Sequence, residues 1–97
     1  MTLKEAIYHK HHRSSAYALI RSRARAIAKK IGLTKCMKCG YDLHVEIAHI
    51  KRISDFTEDT FINVINDPSN LLALCPTHHW EFDNGIILLN ELSTRSQ

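Results

Sequence analysis

The chain has 97 residues, of which 44% are hydrophobic and 24% are charged, and its formal net charge is +3. This balance excludes an intrinsically disordered chain, and the length suits one small domain whose modest core a bound metal would supplement. Because no apolar run approaches the roughly 18 residues that span a bilayer, and the N-terminus has no signal-peptide pattern, we expect a cytoplasmic protein without a membrane partner.

Charge is unevenly distributed along the chain. Eight of the 13 lysines and arginines lie in the first half, at positions 13–38, and the acidic residues gather from residue 55 onward. Such an asymmetry indicates, weakly, a polyanionic partner.

Residues 2–10 predict a short helix, and a second, longer helix follows a histidine-rich linker. Ser14 or Ser15 can cap the second helix, which runs to about Lys30 and ends at Gly32. At 100° per residue its apolar side chains share one arc. They are Ala16, Leu19, Ile20, Ala24, Ile27 and Ile31.

The opposite face of this helix carries cations at four-residue spacing, namely Arg21, Arg25 and Lys29. Like charges stacked in this way repel each other, so the stripe is either a solvated face or a surface that contacts phosphate. Arg23 differs, because it points into the apolar arc, where an unpaired charge is costly. It must snorkel, pair with an acid or reach an anion.

Cysteine spacing indicates a structural metal site. Cys36 and Cys39 form a Cys-x-x-Cys knuckle that Gly40 allows to turn, and Cys75 and His78 form a Cys-x-x-His pair 35 residues later. In a reducing cytosol two such pairs predict metal rather than disulfides, and their four ligands suit a closed tetrahedral zinc site. Zinc binding would then be coupled to folding.

Residues 43–50 alternate loosely and carry β-branched side chains, which favours a strand. His44, Glu46 and Ala48 would face one way, and Val45, Ile47 and His49 the other.

Further elements are predicted after this strand. Residues 57–66 predict a short helix capped by Thr57 and followed by Pro68, and residues 70–74 predict a second strand. Pro76 suits the first turn of a third helix that residues 84–85 (NG) close. Residues 86–89 form a last apolar segment, interpreted as a strand.

The zinc site leaves three polar residues unassigned: His49, Asn70 and His79. Each alone is typical of a structural residue, but their order and spacing favour a shared function. Together with their neighbours, residues 46–50 (EIAHI), 70–71 (NL) and 74–85 (LCPxxHxxFDxG) resemble the HNH endonuclease family. The resemblance covers residues 36 to about 89 and implies a ββα-metal fold, in which two antiparallel strands and a helix enclose one catalytic metal.

The resemblance also implies roles for these residues. His49 matches the general base that activates water, Asn70 the residue that holds the loop and orients this base, and His79 a ligand of the catalytic metal. That metal would be one divalent ion, Mg²⁺, Mn²⁺, Ni²⁺ or Zn²⁺. A histidine base and one cation meet the needs of phosphodiester hydrolysis.

One departure from the family concerns the position before the base. Many members carry Asp or His there as a second metal ligand, and this chain has Ala48, which cannot coordinate. Glu46, His44 or Asp83 can substitute, or water and phosphate oxygens can fill the coordination sphere. Glu46 is the favoured second ligand.

The expected protein is therefore a single α+β domain, with a helical arm at residues 1–34 and a zinc-stapled ββα-metal core at residues 35–92. It would cut DNA with low sequence specificity in a bacterial or phage-infected cell, unless a larger complex or a homodimer supplies recognition. The alternative is a zinc module that binds nucleic acid or protein without catalysis. The expected DNA-binding residues are Arg21, Arg23, Arg25, Lys29, Lys51 and Arg52, with Arg23 directed toward the scissile bond.

Overall fold

The structure, a computed structural model, describes residues 1–92. Within these residues the chain forms helices α1 (Leu3–Lys10), α2 (Arg13–Lys30), α3 (Ile62–Ile65) and α4 (Pro76–Asp83), and strands β1 (Glu46–His49) and β2 (Leu71–Leu74). Single 3₁₀ turns lie at Ile53–Asp55, Pro68–Asn70 and Leu89–Glu91. The strands pair antiparallel, so the predicted small α+β architecture with a two-stranded sheet is confirmed.

The two N-terminal helices form largely where they were expected. Thr2 and Glu5 make a reciprocal capping box at the start of α1, since each side chain binds the other residue's backbone N–H. The predicted serine cap of α2 is wrong. The chain turns at His11, whose φ is 64°, and His12 is already the N-cap, so that Ser14 and Ser15 lie inside the helix.

Helix α2 packs its small side chains against the rest of the protein. Ala16, Ile20 and Ala24 of the predicted arc are buried, whereas Ile31 is exposed beyond the helix end. Gly32 ends the helix as predicted, with a φ of 83° that favours glycine. Ala24 and Ala28, which lies outside the predicted arc, pack with Leu71 and Ala73 of β2. The small side chains of these two alanines allow the helix to approach the sheet closely.

The strands are shorter than the sequence pattern suggested. The strand predicted over residues 43–50 covers only Glu46–His49, because only these residues pair with β2. The register places Glu46 opposite Leu74 and His49 opposite Leu71. All four residues of β2 are buried, which explains their uninterrupted apolar run.

Two predicted elements are wrong. The helix predicted over residues 57–66 is a turn followed by the four-residue α3. The carbonyls of Thr60 and Glu58 in that turn accept hydrogen bonds from the backbone N–H groups of Leu3 and Lys4 of α1, rather than from a continuous helix of their own. The strand predicted over residues 86–89 does not form either. The backbone N–H of Ile86 donates to the carbonyl of Glu81, which folds the segment back against α4.

No helix within residues 1–92 is long and apolar enough to cross a membrane.

Candidate active site and metal centre

Four side chains converge at one end of the sheet. The thiol sulfurs of Cys36, Cys39 and Cys75 and a ring nitrogen of His78 all lie within 4.8 Å of one another. Nδ1 of His78 is 3.5 Å from Sγ of Cys36 and 3.3 Å from Sγ of Cys75. The three cysteines are free thiols. Their spacing and their soft donor atoms fit a single tetrahedral ion, so the predicted cluster can hold a metal.

Local backbone structure brings these four ligands together. Gly40, with a φ of 80°, lets the knuckle turn, and its N–H donates to the carbonyl of Cys36. The knuckle docks on the sheet because the N–H of Met37 donates to the carbonyl of Ala73 at 2.9 Å. On the other side, Pro76 starts α4 directly after Cys75, which is the N-cap. The predicted start of this helix is thereby confirmed.

Thiolate chemistry is favoured at Cys36. Burial raises the pKa of this thiol, but hydrogen bonds from the backbone N–H groups of Cys75, Cys39 and Lys38 and from His78 outweigh burial and lower the pKa to about 6. The thiolate, not the thiol, binds metal, so these donors prepare the sulfur for coordination at neutral pH.

A separate, open cavity of about 480 Å³ is lined by none of these four ligands. His49 lines it from the end of β1 and His79 lines it from α4. Two arginines border the same cavity, Arg21 from α2 and Arg52 from the loop after β1. The cavity therefore combines imidazole nitrogens with cations, which suits an anionic ligand.

The His49 ring is held from one side. Its Nε2 is 2.7 Å from Oδ1 of Asn66, and Nδ2 of Asn66 donates to the carbonyl of Ile20 in α2 at 2.9 Å. Burial lowers the pKa of His49, the bond to Asn66 raises it, and the positive charge of Arg21 lowers it further, with a net decrease from the ordinary value of 6.5. His49 is therefore neutral, and able to accept a proton, at neutral pH.

Carboxylates flank both nitrogens of the His79 ring. Nδ1 is 2.7 Å from Oε1 of Glu46, and Nε2 is 3.3 Å from Oδ2 of Asp83. His44 lies 3.5 Å from the other oxygen of Glu46. The hydrogen bond with His79, followed by the charges of His79 and His44, lowers the pKa of Glu46 against the opposing effect of burial. Of the three substitutes weighed for Ala48, Glu46 and Asp83 thus contact His79, and His44 contacts Glu46.

These carboxylates do not converge on one point. Within residues 1–92 the Cys3His cluster is the one group of three or more Cys, His, Asp or Glu side chains whose ligand atoms do so. Glu46 and Asp83 instead lie at opposite ring nitrogens of His79. A single metal ion can therefore bind His79 together with only one of these two carboxylates. Ala48 itself is buried in the sheet, 3% exposed.

Asn70 fixes the loop that follows His49. Its Oδ1 accepts the N–H of Lys51 at 2.8 Å, and its Nδ2 donates to the carbonyls of Lys51 and Ile65. The N–H of Ile50 donates to the carbonyl of Asn70 at 2.9 Å. The bond to the His49 ring comes from Asn66 rather than from Asn70.

Asn66 is the residue that sequence analysis missed. It was placed only as the end of a predicted helix, yet its side chain is 1% exposed. Ile62, Ile65 and Asn66 follow i, i+3, i+4 spacing, which puts all three on one helix face. That pattern was the available signal for a buried asparagine.

The basic residues are divided between several surfaces. Arg23 is exposed and lines a second, smaller cavity with Met1 and Phe61, and not the cavity of His49, so its predicted direction is wrong. Arg23 is two residues after Arg21, about 200° around the helix axis, and so it faces away from the cavity that Arg21 borders. Within residues 1–92 no carboxylate pairs with Arg23, so this side chain extends to solvent.

The remaining cations lie near the cavity or along α2. Arg52 Nη2 donates to the carbonyl of Asp83 at 3.4 Å, and the Lys51 ammonium lies 4.6 Å from the centre of the Phe56 ring. Arg25 and Lys29 continue the exposed stripe of α2 away from Arg21.

The comparisons with known proteins agree with the motif. Searches of curated proteins and of solved structures found no match to the chain. A family model described as HNH endonuclease matches residues 36–90, which is more than half of the chain and includes the Cys3His cluster, His49, Asn70 and His79. The chain therefore belongs to the HNH endonuclease family.

Proposed function

We propose that this protein is a metal-dependent DNA endonuclease that uses His49 as its general base. The observation that carries the proposal is the shared cavity, which is lined by His49, by His79 with Asp83, and by Arg21 and Arg52. Hydrolysis of a phosphodiester needs a base that is neutral at the working pH, a cation on the phosphate oxygens, and positive charge around the substrate.

His79 and Asp83 are the proposed holders of the catalytic divalent ion. Ligand bonds of about 2.1 Å at right angles place neighbouring donor atoms about 3 Å apart, close to the 3.3 Å between Nε2 of His79 and Oδ2 of Asp83. Mg²⁺ commonly takes one or two protein ligands and completes its sphere with water and phosphate oxygens. Bound there, the ion would polarise the phosphate and help to ionise water.

Glu46 then takes a supporting role. A histidine that binds metal through one nitrogen usually donates its other N–H to a carboxylate, which fixes the ring. The distance of 2.7 Å between Nδ1 of His79 and Glu46 fits that arrangement. Glu46 was the favoured second ligand from sequence, and here Asp83 takes that place.

The Cys3His cluster is proposed to hold a structural Zn²⁺. Three thiolates and one imidazole are a set that zinc binds tetrahedrally, and the closed site has no open position for substrate. Because the ligands come from the knuckle and from the start of α4, the ion would fix α4 against the sheet and with it His79.

Arg21 and Arg52 are proposed to hold the DNA backbone at the cavity, with Arg25 and Lys29 extending the contact along α2. Phosphate contacts of this kind give affinity without sequence information, and their strength falls steeply with salt. DNA is therefore the expected partner. Recognition of particular sequences would require a second copy or a larger complex.

The test is cleavage of supercoiled plasmid by the purified protein. We expect nicked or linear DNA with Mg²⁺, Mn²⁺ or Ni²⁺, intact DNA with EDTA, and ends that carry a 3′-hydroxyl and a 5′-phosphate. The rival candidate, a zinc module that binds nucleic acid or protein, predicts DNA that stays covalently intact with every metal, and a gel shift only where its ligand is nucleic acid. That outcome would exclude the endonuclease.

A further inference from the structure

Asn66 links the His49 ring to a helix outside the family motif. Its side chain is 1% exposed at the end of α3, with Oδ1 2.7 Å from Nε2 of His49 and Nδ2 2.9 Å from the carbonyl of Ile20. Ile20 belongs to α2, and the matched segment begins only at residue 36. The helix that carries the proposed phosphate-binding arginines thus also reaches the proposed base.

Chemistry fixes which groups donate and which accept in the two hydrogen bonds that join His49, Asn66 and Ile20. The carbonyl of Ile20 can only accept a hydrogen bond, so the amide group that faces it must be the NH₂ of Asn66. The amide oxygen of Asn66 then faces His49, and Nε2 of His49 must donate to it. A neutral imidazole carries one ring proton. With that proton on Nε2, the free lone pair is on Nδ1.

We propose that Asn66 is a positioning residue, which holds the His49 ring in the Nε2–H tautomer and ties its orientation to the carbonyl of Ile20 in α2. The proposal rests on the proposed function, because orienting His49 matters for catalysis only if His49 is the base. Through this bond Nδ1 becomes the basic nitrogen of His49. A base with a fixed ring and a fixed lone pair loses less entropy on reaching the transition state than a freely rotating one.

Charged groups around His49 do not supply the same anchor. Arg21 from α2, Arg52 from the following loop, and His79 and Asp83 from α4 line its cavity, but the bond at Nε2 goes to the neutral amide. A neutral acceptor orients the ring and leaves the imidazole able to lose and regain its second proton. A carboxylate in its place would hold the ring positively charged over a wider pH range.

The first test uses the unmodified protein and needs no activity. Nitrogen-15 NMR of the imidazole groups, with His49 assigned through a His49→Gln variant, reports which ring nitrogen carries the proton. Above the pKa of His49 we expect a single tautomer with Nε2 protonated and hydrogen-bonded. A proton on Nδ1, or exchange between both tautomers, would overturn the proposal.

The second test compares Asn66→Leu with Asn63→Leu. Asn63 is an exposed asparagine of the same helix and has no bond to His49, so the pair is matched in residue type, helix and substitution. For Asn66→Leu we expect mixed His49 tautomers and a kcat about 10- to 100-fold lower at unchanged KM, by analogy with the partners that orient metal-binding histidines. Asn63→Leu should match the unmodified protein in both.

The Asn66→Asp variant distinguishes a residue that positions His49 from one that only stabilises the fold. The aspartate keeps an oxygen beside Nε2 and adds a negative charge, so the Nε2–H tautomer should persist and the acid limb of the pH–rate profile should move to higher pH. A purely structural asparagine predicts loss of thermal stability without a move of that limb, which would overturn the proposal.

Failure of this proposal and failure of the nuclease function give different results. If the unmodified protein leaves plasmid intact with every metal, the nuclease function fails, while the tautomer measurement still decides the anchoring of His49. If the protein cuts DNA and Asn66→Leu cuts as fast as Asn63→Leu, the positioning role is overturned and the nuclease function stands.

Discussion

His78→Ala is expected to leave the protein unfolded at neutral pH, whereas His79→Ala, one residue along the same helix, is expected to leave it folded and unable to cut DNA. His78 lies 3.3–3.5 Å from two cysteine sulfurs of the cluster, and His79 lies instead beside Glu46 and Asp83. Structural zinc contributes about 10–16 kcal/mol in small zinc domains, a sum comparable to the whole stability of a domain of roughly this size.

Far-UV circular dichroism and zinc content measure the first half of this expectation, and plasmid cleavage measures the second. The two variants form a matched pair, since both remove an imidazole from neighbouring positions of α4. A folded, zinc-loaded His78→Ala protein would contradict the assignment of the cluster. A His79→Ala protein that cuts DNA at the normal rate would contradict the catalytic site.

His49→Ala is expected to reduce the rate of DNA cleavage by about 100- to 10,000-fold, the usual contribution of a general base. Fold and zinc content should be unchanged, because the ring lies in the open cavity and not in the cluster. His9→Ala, at an exposed position of α1, is the control for loss of any imidazole. Cleavage that survives His49→Ala at full rate would exclude His49 as the base.

The pH dependence of cleavage also tests whether His49 is the general base. His49 must be neutral to accept a proton, and burial and Arg21 lower its pKa below 6.5 despite the bond to Asn66. The rate should therefore stay high as the pH falls to 6.5 and drop only at lower pH. Replacing Arg21 with Gln removes a cation that opposes protonation, so the pKa of His49 measured by NMR titration should rise. A decrease would contradict the electrostatic account.

The metal cluster could be predicted from the sequence because its information is local. Cys-x-x-Cys and Cys-x-x-His spacings describe turns a few residues long, with Gly40 and Pro76 at the positions where the backbone needs them. The same holds for α1 and for the end of α2 at Gly32. In these places short-range geometry determines the outcome.

The predictions that were wrong concern residues whose structure depends on contacts between distant segments. Residues 57–66 have the composition of a capped helix, but the carbonyls of Glu58 and Thr60 accept hydrogen bonds from the start of α1, and a helix forms only at Ile62–Ile65. Asn66 looked like a helix end, and its role depends on Ile20, 46 positions earlier. Arg23 was judged by a helical wheel, which does not show which cavity each face borders. Tertiary structure decided all three.

One short segment at the start of α4, His78 with His79, is proposed to serve two different metal sites. Crystals soaked in Mn²⁺ test it most directly, because anomalous scattering at the zinc and manganese edges locates and distinguishes both ions. We expect zinc among Cys36, Cys39, Cys75 and His78, and manganese at His79 and Asp83 in the cavity of His49. Two results would contradict this assignment. One is a protein that cuts DNA but whose crystals hold no manganese at His79, and the other is a zinc ion bound by His79 in place of His78.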